Sequence, residues 1–193
     1  MATQSKSDVR VGDKAPNARV IDKDGNAFKL SDLWEEKPLV LVFTRHKGCP
    51  FCRQYLGEFQ KNYARFSEKG ANVAAIMMGN QSAVKEFLTD RKFSFKVYGS
   101  GGNAVHRAYG LKRFTETGDL FNPVKSAGEI FKSISVASKY GLGIPEGDVA
   151  QLGGTFVIDT DGTILFAHQS ELASDNAPLS AVLNALEEPK IQS

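Results

Sequence analysis

The order of apolar segments predicts an α/β protein built on a central mixed sheet flanked by helices. Three observations carry this. Residues 38–43 form a near-continuous apolar run, Pro-Leu-Val-Leu-Val-Phe, as suits a strand covered on both faces. Leu56, Phe59, Tyr63 and Phe66 then recur at spacings of three and four, which is helical periodicity. Near the end of the chain, residues 154–159 and 163–168 flank Asp161-Gly162, a strong hairpin signal.

The elements follow in order. Residues 18–21 and 27–30 partly alternate around Asp24-Gly25-Asn26 and predict a small hairpin. Ser31 has the chemistry of an N-cap for a short turn through Trp34. The 38–43 strand runs into Cys49-Pro50-Phe51-Cys52, and Pro50 fits the first turn of a helix that Gly70 ends. Residues 72–78 read as a second buried strand, 82–91 as a helix and 96–98 as a short third strand. Residues 103–109 read as a short helix stopped at Gly110, and 177–187 as the closing helix. Residues 111–149 fit this pattern least well. Within them Ile130, Phe131, Ile134, Ala137 and Tyr140 share one face of a helix stopped by Gly141. Two readings stay open for the insertion: a surface element packed on the core, or a mobile cover over a reactive site.

With 193 residues, the chain is expected to form one domain over 9–188, with a flexible 1–8 and a tail at 189–193. Its 24 basic and 22 acidic side chains leave a net charge of +2, too small to argue for nucleic acid or an anionic membrane as partner. No stretch reaches the roughly 18 apolar residues of a membrane span. Residues 1–8 are polar and lack the apolar run of a secretory signal, so a cytoplasmic location is expected. In a reducing cytosol a lone Cys-x-x-Cys is more often reactive than structural.

Cys49 and Cys52 are the only cysteines. A cysteine in the first turn of a helix sits at the positive end of its dipole, where free N–H groups favour thiolate over thiol. Arg45, His46 and Lys47 just upstream add positive potential. Cys49 is therefore expected to be the nucleophile. Cys52, one turn further in, is placed to attack a mixed disulfide or sulfenic acid formed on Cys49. Zinc would need two more ligands, which His46, His106 and His168 supply only by distant convergence, and no metal is expected. A structural disulfide closing so short a loop would contribute little. His46 reads either as a surface histidine or as a proton donor to a leaving thiolate or alkoxide.

At these residues the chain resembles the thioredoxin-fold superfamily. More narrowly it is similar to the peroxiredoxin-like alkyl hydroperoxide reductase/thiol-specific antioxidant type-2 group. The likeness starts at Gly12-Asp13-Lys14-Ala15-Pro16, Asp24-Gly25 and Leu30-Ser31-Asp32-Leu33. It continues through Arg45-x-x-x-Cys49-x-x-Cys52, Ala108-Tyr109-Gly110-Leu111, Gly147-Asp148 and Gln151-Leu152-Gly153-Gly154. The segment from Thr155 to Gly162 and His168 complete it. The resemblance implies a peroxiredoxin-type thioredoxin-like fold and thiol-dependent redox chemistry. Some relatives are described as antioxidant and others as reducing prostaglandin-type endoperoxides. Typical peroxiredoxins carry a Thr three residues before the peroxidatic cysteine and an Arg in the loop before the later strand. This chain has His46 and Gly153 there, with Thr44 and Arg45 as stand-ins from a shifted position. Gly154 occupies the neighbourhood of the thioredoxin cis-proline. Gly153, Gly154, Pro50 and Phe51 are thus the expected substrate contacts.

The expected function is reduction of a peroxide or endoperoxide by Cys49, with Cys52 resolving it as an intramolecular disulfide. No bound cofactor is expected, only an external thiol reductant such as thioredoxin or glutathione. A thioredoxin-like protein disulfide reductase and a non-catalytic redox-sensing binding protein are the alternatives. A homodimer is compatible with either.

Overall fold

The structure is a computed structural model that describes residues 9–116, 123–141 and 147–187. The expected flexible 1–8 and the 189–193 tail lie outside the described residues.

Among the described residues seven strands form one sheet: β1 (Arg19–Ile21), β2 (Ala27–Lys29), β3 (Leu39–Phe43), β4 (Asn72–Met77), β5 (Lys96–Gly99), β6 (Gly154–Ile158) and β7 (Ile164–Gln169). Their order across the sheet is β2-β1-β5-β4-β3-β6-β7. β3, β4 and β5 run parallel, while β6 lies antiparallel to β3 and hairpins into β7. The sheet is therefore mixed, as the alternation of segments predicts, and its centre is the 38–43 run.

All five residues of β3 are buried because helices or chain cover both faces. Val40 and Val42 point into a core shared with α1 (Pro50–Lys61), α2 (Tyr63–Glu68), α3 (Gln81–Leu88) and α6 (Leu179–Asn184). Leu39, Leu41 and Phe43 point the other way, to Trp34, to Val105 of α4 (Ala104–Ala108) and to Tyr109. Fully apolar patterning is what a doubly covered strand requires.

The helix expected to run unbroken to Gly70 is divided at Asn62. The Asn62 carboxamide donates to the Glu58 carbonyl at 2.9 Å, turning its own backbone out of helical geometry before α2 begins. Ser31 does not cap its turn. It lies inside a 3-10 helix, Leu30–Leu33, where the Asp32 carboxylate accepts the Lys29 N–H at 2.9 Å. Asn80 caps α3 by accepting from Ala83 N at 3.1 Å, so that helix starts one residue earlier than expected. The Asp161-Gly162 turn forms as expected. Asp161 accepts the Thr163 N–H at 2.8 Å, and Gly162 takes φ +84°, open to glycine.

The insertion contributes α5 (Pro123–Tyr140), which ends where Gly141 adopts φ +76°. It packs along α1. Of the residues expected to share one face, Phe131 and Ile134 are 73% and 63% exposed, and the side chain of Ile130 lies outside the described residues. Tyr140 of that face lies beside Gly57 of α1, and Lys132 and Val136 line the groove between the two helices. Its Glu129 carboxylate accepts from both Ser174 N, at 3.0 Å, and Ser174 Oγ, tying α5 to the loop after β7.

Candidate active site

The site forms where β3 gives out. Thr44 N makes a last ladder bond to Ile76 O at 2.8 Å, after which the chain turns away and enters α1 through Cys49 and Pro50. Cys49 is the N-cap, with extended backbone, and Pro50 takes the first helical position, where a missing N–H costs nothing. In an ordinary helix a Ser or Asp oxygen would satisfy the open N–H groups here. In this helix the Cys49 sulfur does so, accepting from Cys52 N at 3.4 Å.

Two further groups converge on the pair. The Arg45 backbone N–H donates to Cys52 Sγ at 3.3 Å, and Arg45 Nη1 lies 3.8 Å from Cys49 Sγ. The rest of the guanidinium spans to the segment that follows the insertion, donating to Val149 O at 2.6 Å and Gln151 O at 3.0 Å. At such separations, with an effective dielectric near 20, the Arg45–Cys49 attraction is on the order of 4 kcal/mol before desolvation is counted. The two sulfurs are pushed apart in acidity. Cys49 is brought down to about 6, first by the hydrogen bond from the Cys52 side chain and then by Arg45 and the Cys52 N–H, against burial. Burial, reinforced by the neighbouring Cys49 sulfur, pushes Cys52 up. One thiolate and one thiol side by side is the state a nucleophile and its resolver require.

The other expected residues fall into place unevenly. The Thr44 hydroxyl donates to Ile76 O at 3.3 Å, so it is spent on the sheet rather than aimed at a sulfur. His46 is half-buried, and burial, with Arg45 and Arg53 beside it, lowers it to about 4. It is therefore neutral at pH 7 and a poor proton donor. Lys47 is turned to Glu86 at 2.7 Å. Of the three basic residues expected to raise the potential, Arg45 reaches both sulfurs.

Packing at Gly153 and Gly154 leaves no room for a side chain. A Cβ on Gly153 would stand 2.5 Å from Phe43 O, and one on Gly154 2.5 Å from Leu111 Cδ2 and 2.7 Å from His168 O. Glycine is needed because strands β3, β6 and β7 approach each other there, and Gly153 also walls the cleft at Cys52. Gly153→Ala is expected to destabilise the fold by about 1–3 kcal/mol, since the obstacle is backbone. This would be read as a lower urea midpoint at unchanged slope. A midpoint equal to that of the wild type would show that β3 can yield.

Cys49 is fully covered, and the small cleft at the site opens on Cys52, walled by Arg45, Tyr55, Gly153, Ser170, Ala173 and Asn176. Tyr55 and Asn176 also line a wider groove of about 480 Å³ between α1 and α5. Phe51 lines that groove, whereas Pro50 is buried at the helix start. His168 stays on β7 and bonds Asp175, at 3.1 Å, in the loop that walls the cleft.

Three contributors are given no role in this site by the sequence, although Asp148 falls in the Gly147-Asp148 pair of the family likeness. His106 is wholly buried and its Nε2 lies 2.8 Å from Thr44 O. Asp148 is clamped by Arg113 at 2.8 Å and Asn103 at 3.2 Å, and it holds the 148–151 segment that Arg45 grips. Glu129 secures Ser174. Each depends on residues more than forty positions apart, except the Arg113–Asp148 pair at thirty-five. Among the described residues no three His, Cys, Asp or Glu side chains gather as a metal site requires. No described helix is long and apolar enough to cross a membrane.

Fold and site together define an oxidoreductase of the thioredoxin-fold, peroxiredoxin-like class. A sequence model of the AhpC/TSA family matches residues 11–124, and the chain belongs to that family. It is 29% identical over 171 residues to peroxiredoxin-like 2C of Bos taurus, covering 85% of this chain and 74% of the relative. It is 27% identical over 166 residues to the prostamide/prostaglandin F synthase of Salmo salar, covering 84% and 81%. Among solved structures, peroxidoxin BcpB of Mycobacterium tuberculosis superposes with a TM-score of 0.67 at 23% identity, covering 95% of this chain and 98% of that one. A yeast mitochondrial 1-Cys peroxiredoxin gives 0.65 at 15%, covering 93% and 75%. At such identities the structures speak to the fold alone.

Proposed function

We propose that the protein reduces a peroxide or endoperoxide by a two-cysteine cycle. The Cys49 thiolate attacks one peroxide oxygen and the O–O bond breaks. The departing oxygen takes up a proton, and Cys49 is left as sulfenic acid by a hydroperoxide, or as a sulfenate ester of the second ring oxygen by an endoperoxide. The Cys52 sulfur then attacks Cys49 Sγ, the S–O bond breaks, and water (from a sulfenic acid) or the second product alcohol (from a sulfenate ester) leaves with the Cys52 proton as the disulfide closes. An external thiol reductant, of the thioredoxin or glutathione kind, returns both sulfurs to thiols by exchange. The observation that carries this reading is the convergence on the two sulfurs at the start of α1. The Cys52 N–H lies 3.4 Å and Arg45 Nη1 3.8 Å from Cys49 Sγ, and the Arg45 N–H lies 3.3 Å from Cys52 Sγ. This arrangement lowers Cys49 while burial raises Cys52. The names of the relatives favour an oxygen-oxygen bond as target. The absence of a threonine hydroxyl aimed at the sulfur makes Arg45 the group that must polarise it.

A protein disulfide is the second substrate class, favoured by Cys52 being the sulfur that lines the small cleft while Cys49 is covered. Stopped-flow oxidation by hydrogen peroxide, a bulky organic hydroperoxide, an endoperoxide and a protein disulfide separates the two. The expected result is oxidation of Cys49 by at least one peroxide at about a hundred times the rate of a free thiol of equal pKa. Parity with a free thiol for every peroxide, alongside fast exchange with the protein disulfide, would reverse the assignment.

A further inference from the structure

The peptide group joining Thr44 to Arg45 is held at both ends. Its N–H donates to Cys52 Sγ at 3.3 Å. Its carbonyl meets His106 Nε2 at 2.8 Å. A carbonyl oxygen can only accept, so Nε2 carries the ring proton and the histidine is fixed as one tautomer. His106 is fully buried, packs edge-on against Phe43 with ring centroids 5.1 Å apart, and its Nδ1 has no hydrogen-bond partner among the described residues. A histidine used merely to fill the core would be replaced at no cost by an apolar ring. This one leaves one nitrogen unsatisfied in order to place the other on a single carbonyl.

We propose that His106 is a positioning residue for the resolving step. Through the Thr44–Arg45 peptide it orients and polarises the N–H that stabilises negative charge on Cys52 Sγ. Donation to a carbonyl polarises the whole amide and strengthens what its N–H can give, the more so in a dry interior. In the resolving step Cys52 gives up its proton and its sulfur electron pair forms the bond to Cys49 Sγ. The S–O bond of the sulfenic acid breaks, and the departing hydroxide combines with the released proton as water. The charge on Cys52 before attack is what the Arg45 N–H meets. This inference rests on the resolving role given to Cys52 above.

The direction of the effect follows from thiol reactivity. While a thiol's pKa lies well above ambient pH, raising it by one unit lowers the thiolate fraction tenfold. Intrinsic nucleophilicity rises only with a slope of about 0.4–0.5. Burial already holds Cys52 in that regime. Losing the histidine donor is therefore expected to slow disulfide closure about three- to fourfold per unit of rise in the Cys52 pKa. Cys49, which takes its hydrogen bonds from Cys52 and the Arg45 guanidinium, keeps its own rate.

The test is a single turnover with one equivalent of hydroperoxide. Sulfenic acid is trapped with a dimedone-type reagent, and free thiols are counted after acid quench. In His106→Phe the first step is expected within about twofold of wild type and closure slowed at least about threefold. In His106→Gln, whose amide nitrogen can occupy the place of Nε2, closure is expected to return to within about twofold. Equal slowing of both steps would mean general loosening and would overturn the proposal, as would an unchanged closure rate in His106→Phe. A second measurement needs no His106 variant to fold. In the wild-type protein, nuclear magnetic resonance of the Arg45 amide proton and the His106 Nε2 proton should show both moving when the pair is oxidised. A stationary His106 proton overturns the relay. Sulfenic acid that never proceeds to a Cys49–Cys52 disulfide in the wild type instead overturns the role of Cys52, and this inference with it.

Discussion

Replacing Cys49 by serine is expected to abolish turnover, by about a thousandfold or more, without unfolding the protein. Serine is among the best N-cap residues, so its oxygen can take over the Cys52 N–H that the sulfur accepts at 3.4 Å. What it cannot do is ionise near neutral pH or lend a soft electron pair to a peroxide oxygen. Cys52→Ser is expected to behave differently. Its hydroxyl retains a donor toward Cys49, so the first step persists, but no sulfur remains to displace hydroxide. One equivalent of substrate should be consumed in a burst, leaving Cys49 as sulfenic acid or as a mixed disulfide with added thiol. Mass spectrometry of the oxidised variants reads this directly. Steady turnover in Cys49→Ser, or a burst in that variant and none in Cys52→Ser, would reverse the assignment of attacker and resolver.

What the sequence reveals of this site is what lies along the chain. The strand, the loop and the helix start are local, and the Cys-Pro-Phe-Cys spacing puts one sulfur at the cap and the other a turn inward. The α/β order and the final hairpin are legible for the same reason, since alternation, periodicity and turn residues are short-range signals. Contacts made by folding are not. Nothing in the pattern around Asn103–Tyr109 marks His106 as the partner of a carbonyl sixty-two residues earlier. The helix of the insertion is legible in its spacing, but its orientation is not. Phe131 and Ile134 look like a core face, while the buried work of that helix is done by Glu129 at Ser174. Gly153 and Gly154 stand out as a pair, yet the reason for them lies in strand crowding that only the folded sheet shows.

Arg45 connects the reactive sulfur to the segment leaving the insertion, and Arg45→Met should uncouple them. Methionine keeps much of the apolar stem but removes the charge 3.8 Å from Cys49 and both bonds to the 149 and 151 carbonyls. Cys49 is an acid whose pKa stands lowered to about 6, so its thiolate is present above that pH and is lost as pH falls through it. Without Arg45 the midpoint is expected to rise by about one to two units, the part of the gross attraction that solvent does not replace. The rate of Cys49 oxidation at pH 6 would then fall about 5- to 50-fold from lost thiolate alone, and any loss that persists above pH 9 reports the polarisation of the O–O bond by Arg45. Arg45→Lys should keep most of the lowered midpoint, because the charge remains. It should still release the two carbonyls, since an ammonium lacks the planar fork that serves sulfur and backbone together. Thiolate absorbance across pH reads the first effect, and hydrogen exchange in residues 148–152 reads the second. The Cys52 side chain is the larger support of the Cys49 thiolate, so Cys52→Ala should move the midpoint further than Arg45→Met. A midpoint that stays near 6 in Arg45→Met would assign the thiolate to the helix cap and Cys52 alone, leaving the arginine as a purely structural tie between β3 and the 148–151 segment.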